Sequence, residues 1–287
     1  MIDGKTRTCG LIGNPVEHTM SPIIHNTLAG TCGHNLVYVP FPVENGSLED
    51  AIKGAYALNI LGLNVTVPYK SEVIRSLIEV DGLAAKIGAV NTLVRTEGGF
   101  KGYNTDMSGL HRAMISEGIR IEGEEIVLLG AGGAARAVAY LCGEQKAKKV
   151  YLLNRTLDKA ERIAKEVNGA FAKDVIVPML LADYPKLPCG KYLAIQGTSV
   201  GLFPHDEEAI IEDAALYQKI HTGFDLIYKP FTTKFMKLVT QAGGKAYNGL
   251  KMLLYQGIDA YELWNQVEIS EEEAAHVYHA LKTAMGL

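Results

Sequence analysis

At 287 residues, with 48% hydrophobic and 21% charged side chains, the chain is long enough for two compact domains, each with its own core. A formal net charge of -4 gives no bulk attraction to nucleic acid or to an anionic membrane, so any anion-binding site has to be built locally. Cys9, Cys32, Cys142 and Cys189 are far apart with no C-x-x-C pair, which argues for idle thiols in a reducing compartment and against a disulfide framework or a zinc site.

Met1-Ile2-Asp3-Gly4-Lys5 lacks the charged-then-apolar profile of a signal peptide, and a cytoplasmic address is expected. Short apolar runs then alternate with amphipathic helical segments, the pattern of an α/β protein with largely parallel sheets. Thr8–Ile12 is the first expected strand, followed by a turn at Gly13-Asn14-Pro15 and a helix with Ser21 as N-cap and Pro22 as first helical residue. Leu36–Phe41 and Leu61–Val67 are further strands, and Ser47-Leu48-Glu49-Asp50 opens the helix between them with a capping-box pattern. Val90–Arg95 and Gly99–Tyr103 flank a hairpin turn, and a helix from about Asp106 to Glu117 follows. Beyond it come a buried strand, Glu124–Leu129, a glycine-rich turn and helix, a strand at Val150–Leu153 and a helix at Thr156–Val167. Strands at Tyr192–Ile195 and Phe224–Ile227 precede two closing helices, Leu250–Asn265 and Glu271–Met285, the second capped by Ser270 with Glu273. The most apolar stretch, residues 126–142, is split by glycines and contains Arg136, so no membrane span is expected.

The strand Glu124–Leu129 runs directly into Gly130-Ala131-Gly132-Gly133-Ala134-Ala135-Arg136-Ala137, a G-x-G-x-x-A run between strand and helix. Gly130 suits the tight turn, Gly132 close approach to a pyrophosphate, and Ala135 or Ala137 close packing of helix on sheet. The unpaired N–H groups of the helix start, from Gly133 and Ala134 onward, offer a phosphate cradle. The next strand ends Leu152-Leu153-Asn154-Arg155-Thr156, with Lys159 a turn later and no carboxylate for a ribose 2′-hydroxyl. Donors without an acid there point to the 2′-phosphate of NADP, each charge-assisted bond contributing about 1.5–3 kcal/mol. Outside this context Arg155 and Lys159 read as solvated surface charges.

The first hundred residues place amides, hydroxyls and single charges at the ends of apolar runs. Thr19 and Ser21 are two hydroxyls beside a helix start and suit a carboxylate. Asn64-Val65-Thr66-Val67-Pro68-Tyr69-Lys70 ends a strand, and Ala89-Val90-Asn91-Thr92 and Gly102-Tyr103-Asn104-Thr105-Asp106 repeat the habit. Lys70 alone reads as a surface lysine and Asp106 as a helix cap; His18 and His25 read as structural, and Trp264 as packing. No His, Asp and Glu set has metal-ligand spacing, so no metal is expected. Ser199 lies outside any G-x-S-x-G, which removes a serine-hydrolase reading.

These segments in this order resemble the shikimate dehydrogenase family over essentially the whole chain. The resemblance is carried by H-[ST]-x-S-P-x-x-H-N at His18–Asn26, N-V-T-x-P-x-K at Asn64–Lys70, G-A-V-N-T at Gly88–Thr92 and N-T-D at Asn104–Asp106. It continues through G-A-G-G from Gly130, N-R-T at Asn154–Thr156 and G-L-x-M-L-x-x-Q at Gly249–Gln256. It implies an α/β fold of two domains separated by a cleft: a substrate domain of residues 1–106 completed by 250–287, and a Rossmann-type NADP domain of residues 107–249. It implies reversible, NADP-dependent reduction of 3-dehydroshikimate to shikimate, in aromatic amino acid biosynthesis. By the same resemblance Lys70 and Asp106 are the catalytic pair, Thr19 and Ser21 bind the ring carboxylate, and Thr66, Asn91 and Gln256 bond the ring hydroxyls. Tyr228 lies near the carboxylate, Gly249 near the nicotinamide, and Gly130, Ala131, Gly132, Gly133, Ala134, Asn154, Arg155, Thr156, Lys159 and Thr198 bind the cofactor. A small-molecule substrate, no nucleic acid or membrane partner, and a monomer or homodimer are expected.

The chemistry suits the residue types. Ketone reduction needs hydride on one side and a proton for the developing alkoxide on the other, and a lysine ammonium beside a carboxylate supplies the latter. Which of the two groups takes the proton back in oxidation is left open. Three positions depart from the family pattern: Thr19 for the common serine, Gln196 for asparagine, and Lys251 where glycine is common, a cation expected to crowd or tune the nicotinamide side. The rival readings are a quinate/shikimate dehydrogenase of broader range or NAD use, and a non-catalytic NADP-binding sensor, against which the joint presence of Lys70 and Asp106 argues.

Overall fold

The computed structural model describes residues 2–287. In chain order the elements are β1 (Arg7–Gly13), α1 (Ser21–Thr31), β2 (Leu36–Pro42), α2 (Leu48–Ala57), β3 (Gly62–Val65), β4 (Glu79–Val80), α3 (Gly82–Ile87), β5 (Thr92–Thr96), β6 (Gly99–Tyr103) and α4 (Thr105–Ser116). They continue as β7 (Glu125–Leu129), α5 (Gly133–Glu144), β8 (Lys149–Asn154), α6 (Leu157–Phe171), β9 (Ile176–Leu180), β10 (Tyr192–Gln196) and α7 (Ala214–Tyr217). The last are β11 (Ile220–Asp225), α8 (Lys234–Gln241), β12 (Lys245–Tyr247), α9 (Leu250–Asn265) and α10 (Glu271–Ala284), with short 3-10 turns at Glu72–Ser76 and Leu181–Lys186. The chain divides into two compact units: the first runs to Gly109 and resumes over Leu254–Leu287, and the second is Leu110–Leu253.

Unit 1 holds a mixed sheet in the order β2-β1-β3-β5-β6-β4. β1 pairs parallel with β2 and β3, whereas β5 and β6 form the expected antiparallel hairpin, from Thr92↔Tyr103 to Thr96↔Gly99. Its core gathers Ile12, Leu63, Val65, Leu93 and Phe100 from the strands with Leu48 and Ile52 from α2 and Val90 from the segment before β5. α1 buries Ser21, Ile24, His25, Leu28 and Ala29, one stripe at three- and four-residue spacing. α10 packs on α1 through Ala274, Val277 and Leu281.

Unit 2 is an all-parallel sheet in the order β12-β11-β10-β7-β8-β9, the doubly wound arrangement in which the order reverses between β7 and β10. β7 and β10 are buried almost throughout, which explains their unbroken apolar runs. α6 covers the sheet with Ala160, Ile163, Ala164 and Val167, leaving its charged face outward.

Several local expectations change. Ser47 does stand at the N-cap of α2, but with φ of -101° and ψ of 5° it lies outside the extended conformation usual for a cap, and no side-chain capping bond forms. Ser21 is the first residue of α1 rather than its cap; Met20 holds that position. The strand expected at Phe224–Ile227 is displaced to Ile220–Asp225, because Leu226 and Ile227 leave the ladder where the Asp225 carboxylate accepts the Ile227 N–H at 3.0 Å. Ser270 and Glu273 form both bonds of the capping box that opens α10.

Candidate active site

The carboxyl ends of β1 and β3, the start of antiparallel β5 and the end of β6 fall at one edge of the unit 1 sheet, where their loops converge. Thr66 N–H donates to Ile12 O at 2.9 Å and Asn14 N–H to Val67 O at 3.0 Å, laying the Asn64–Lys70 segment beside the turn after β1. Val65 N–H reaches Asn91 O at 2.8 Å and Val90 N–H reaches Lys70 O at 2.7 Å. Asn91 N–H donates in turn to Tyr103 O at 3.0 Å, which brings Asn104–Asp106 to the same place. Three segments remote in sequence are thus strapped together by main-chain bonds.

On this frame Lys70 Nζ donates to Asp106 Oδ2 at 2.7 Å, with the side chains 33% and 21% exposed. Asn91 Nδ2 donates to the second carboxylate oxygen at 2.9 Å, and Asn91 Oδ1 accepts the Thr105 N–H at 2.7 Å. Asp106 does not cap α4; Asn104 does, its Oδ1 accepting the Met107 N–H at 3.3 Å. That division leaves the Asp106 carboxylate to Lys70 and Asn91. Thr19 Oγ1 accepts the Ser21 N–H at 3.2 Å and donates to Ser21 Oγ at 3.1 Å, so the two hydroxyls sit together at the start of α1. The backbone of Gln256 in α9 lies against Gly109 of α4, where a Cβ on the glycine would come within 2.5 Å of the Gln256 nitrogen. His25 is fully buried, stacked 4.2 Å from the Tyr38 ring, and burial pushes its pKa down to about 3, so it is an uncharged packing residue. His18 is exposed.

In unit 2 the loops at the carboxyl ends of β7, β8 and β10 form a separate candidate site, suited to a nucleotide. Gly130 takes a φ of +104° and abuts the Thr198 methyl, so no side chain fits there. Gly132 precedes α5, and Gly132, Gly133 and Ala134 are exposed, leaving the first N–H groups of the helix open to an anion. Arg155, Thr156 and Lys159 are exposed after β8, and Asn154 Nδ2 braces the turn by donating to Thr156 O at 2.8 Å. No acidic side chain stands between Asn154 and Leu157, so these residues fit a 2′-phosphorylated dinucleotide.

Gln196, at the end of β10, is buried and uses the length of its side chain. Its amide oxygen accepts the Thr198 N–H, and its nitrogen donates to Val200 O at 3.0 Å and Asp225 Oδ1 at 3.3 Å. Asp225 also accepts from Thr233 Oγ1 at 2.6 Å, and burial raises its pKa to about 6. The loop after it carries Tyr228, whose phenol burial also pushes upward. Gly249 follows from the same geometry: its N–H donates to Ile227 O at 2.9 Å, and a Cβ would come within 2.1 Å of Leu226 O. Lys251 is tied to Glu117, Nζ to Oε1 at 2.5 Å, an ion pair that the sequence did not suggest. Asp225 and the Asn64–Thr92–Thr105 contacts were not foreseen either; their signal was a polar residue at each strand end, without the pairing. Among the described residues no group of His, Cys, Asp and Glu is arranged to hold a metal, and no helix is long and apolar enough to cross a membrane.

Residues 11–93 match a family model described as the shikimate dehydrogenase substrate binding domain, and residues 113–180 one described as shikimate / quinate 5-dehydrogenase. A shikimate dehydrogenase (NADP(+)) of Methanocaldococcus jannaschii is 42% identical over 273 residues, covering 93% of this chain and 94% of that protein. A crystal structure of a shikimate dehydrogenase in complex with NADP+ aligns at TM-score 0.89 and 39% identity, over 99% of this chain and 97% of that one. A shikimate 5-dehydrogenase from Listeria monocytogenes, in complex with shikimate and NAD, aligns at TM-score 0.89 and 29% identity over 98% of both chains. Because the likeness runs through both units at these identities, the chain belongs to the shikimate dehydrogenase family.

Proposed function

We propose that this chain catalyses the reversible, NADP-dependent reduction of 3-dehydroshikimate to shikimate, with Lys70 and Asp106 as its acid–base pair. The observation that carries the reading is the 2.7 Å contact of Lys70 Nζ with Asp106 Oδ2 on a frame of otherwise neutral amides and hydroxyls. The start of α5 with Arg155, Thr156 and Lys159 would hold NADP through its phosphates, and the bound cofactor would supply the hydride chemistry. The Lys70 ammonium faces the ring oxygen, stabilises the negative charge that develops there and donates its proton. Asp106 holds the ammonium in place and offsets its charge when the proton has to return, so the two groups act as a unit. Thr19 and Ser21 bind the ring carboxylate with Tyr228 nearby, and Thr66, Asn91 and Gln256 bond the ring hydroxyls. Thr198 and Gly249 line the cofactor side with Gly130–Ala134 and Asn154. The enzyme works on a small molecule in the cytoplasm, as a monomer or homodimer.

Steady-state kinetics with shikimate and quinate against NADP+ and NAD+ test this directly. Shikimate with NADP+ is expected to give the highest kcat/KM. Preference for NAD+ would remove the 2′-phosphate assignment, and preference for quinate would move the chain to the broader-range reading. Lys70→Ala is expected to lower turnover by about three orders of magnitude while NADP+ still binds. Unchanged turnover would take Lys70 out of the mechanism.

A further inference from the structure

Behind the catalytic pair lies a buried polar frame. Asn64, Asn91, Thr92, Thr105, His25 and Tyr38 are each no more than 4% exposed. Buried polar groups are tolerated when every bond is made, and a fully satisfied network fixes the geometry of its members. His25 Nδ1 has no partner among the described residues, but from Asn64 to Asp106 the bond directions run in one sense. Asn64 Oδ1 accepts from Tyr38 Oη at 2.8 Å and lies 3.1 Å from His25 Nε2, which turns the amide nitrogen the other way. That nitrogen donates to Thr92 Oγ1 at 3.1 Å and to Asn91 O at 3.3 Å.

Thr92 Oγ1, already an acceptor, has its own proton to give. It lies 3.2 Å from Asn91 Oδ1 and 3.0 Å from Thr105 Oγ1, and Thr105 Oγ1 is itself 3.3 Å from Asn91 Oδ1. By either route one hydroxyl proton arrives at Asn91 Oδ1, next to the Thr105 N–H. The Asn91 nitrogen is then left facing Thr105 Oγ1 at 3.1 Å and Asp106 Oδ1 at 2.9 Å. Turned over, Asn91 would set a carbonyl oxygen against a carboxylate.

We propose that Thr92 is a positioning residue for the Lys70–Asp106 pair: its hydroxyl, held by Asn64, keeps the Asn91 amide turned so that it occupies one oxygen of Asp106 and leaves the other to Lys70. The inference rests on the assignment of Lys70 and Asp106 as the reacting pair. Thr92 acts at one remove, through Asn91, from its place opposite Asn64 in the β3–β5 ladder.

Thr92→Val keeps the size and branching of the side chain and deletes the hydroxyl. The expected result is a fall in kcat for shikimate oxidation of about tenfold or more, with an unchanged Kd for NADP+. Thr92→Ser should return most of the lost turnover. In an Asp106→Asn background Thr92→Val should lower the residual rate no further, because the effect passes through Asp106. A Thr92→Val protein that is less stable but keeps the parent kcat overturns the proposal, as does a full further loss on Asp106→Asn. Should Thr92→Val fail to fold, Thr92→Cys, with a weaker donor, must show a smaller loss of kcat in the same sense, and parent-like turnover there overturns the proposal equally. A parent protein that oxidises neither shikimate nor quinate overturns the functional reading and this inference with it; a working parent with an unaffected Thr92→Val overturns this inference alone.

Discussion

Asp225 shows how burial can govern the titration of a carboxyl that makes every local bond available to it. It has no exposed surface, accepts from Thr233, Ile227 and Gln196, and still has a pKa raised to about 6, since desolvation outweighs those bonds. A carboxyl whose folded pKa lies above its unfolded value near 4 stabilises the fold fully below that value and loses the contribution as pH rises through about 6. Relative to Asp225→Asn, the parent protein should therefore become progressively less stable from pH 4 to 7, by up to about 3 kcal/mol, in urea unfolding. A pH-independent difference would show that the carboxyl is not held in the desolvated state. At the cofactor end Arg155→Ala should raise the KM for NADP+ by about tenfold to a hundredfold and leave that for NAD+ nearly unchanged. An equal effect on both would place the guanidinium away from the 2′-phosphate. The convergence of Lys70, Asp106 and Asn91 is foreshadowed in the sequence because each stands in a motif that ends an apolar run, and their side chains do meet. Thr92 and Asp225 are less legible, because key partners, Asn64 for Thr92 and Gln196 for Asp225, are remote in sequence.

Among the elements, long periodic segments were readable and short or edge ones were not. α9 and the buried strands β7 and β10 announce themselves as unbroken apolar or helical runs. β9 carries a weak strand signal, with Pro178 and half-exposed side chains at the sheet edge, and β4 has only the residues Glu79 and Val80. The start of β11 was obscured by His221 and Gly223, the second of which packs against Val239 and Phe235, where a Cβ would come within 2.8 Å. Two helix starts with similar sequence signatures in unit 1 offer a controlled comparison. Ser270 accepts the Glu273 N–H and its own N–H is bonded by the Glu273 carboxylate, whereas Ser47 makes no side-chain capping bond. Ser270→Ala should cost about 1 kcal/mol, and Ser47→Ala less than about 0.5 kcal/mol, in equilibrium unfolding. Equal losses would mean that the backbone angles at Ser47 do not govern its hydroxyl.

At the scale of the whole molecule, a net charge of -4 means that affinity for a dinucleotide phosphate cannot come from a general field. It has to come from oriented donors, and those proposed above belong to unit 2: the N–H groups from Gly132 to Ala134 and the cations Arg155 and Lys159. The division into a substrate unit and a nucleotide unit was readable from motif order. In the first sheet the β5–β6 hairpin is legible from its turn, whereas the antiparallel pairing of β5 with β3 is not, because it joins segments remote in sequence. A ligand that binds the native form of one unit stabilises that unit by mass action, about 2.7 kcal/mol at a hundred times its Kd. Hydrogen exchange followed by mass spectrometry, with and without NADP+, should therefore show its largest slowing within Leu110–Leu253, centred on peptides covering residues 130–136 and 154–160. Added shikimate should extend slowing to peptides holding Thr19, Thr66 and Asn91. Slowing by NADP+ that is confined to the first unit, or absent at saturation, would remove the phosphate cradle from the start of α5, whatever the enzyme's turnover.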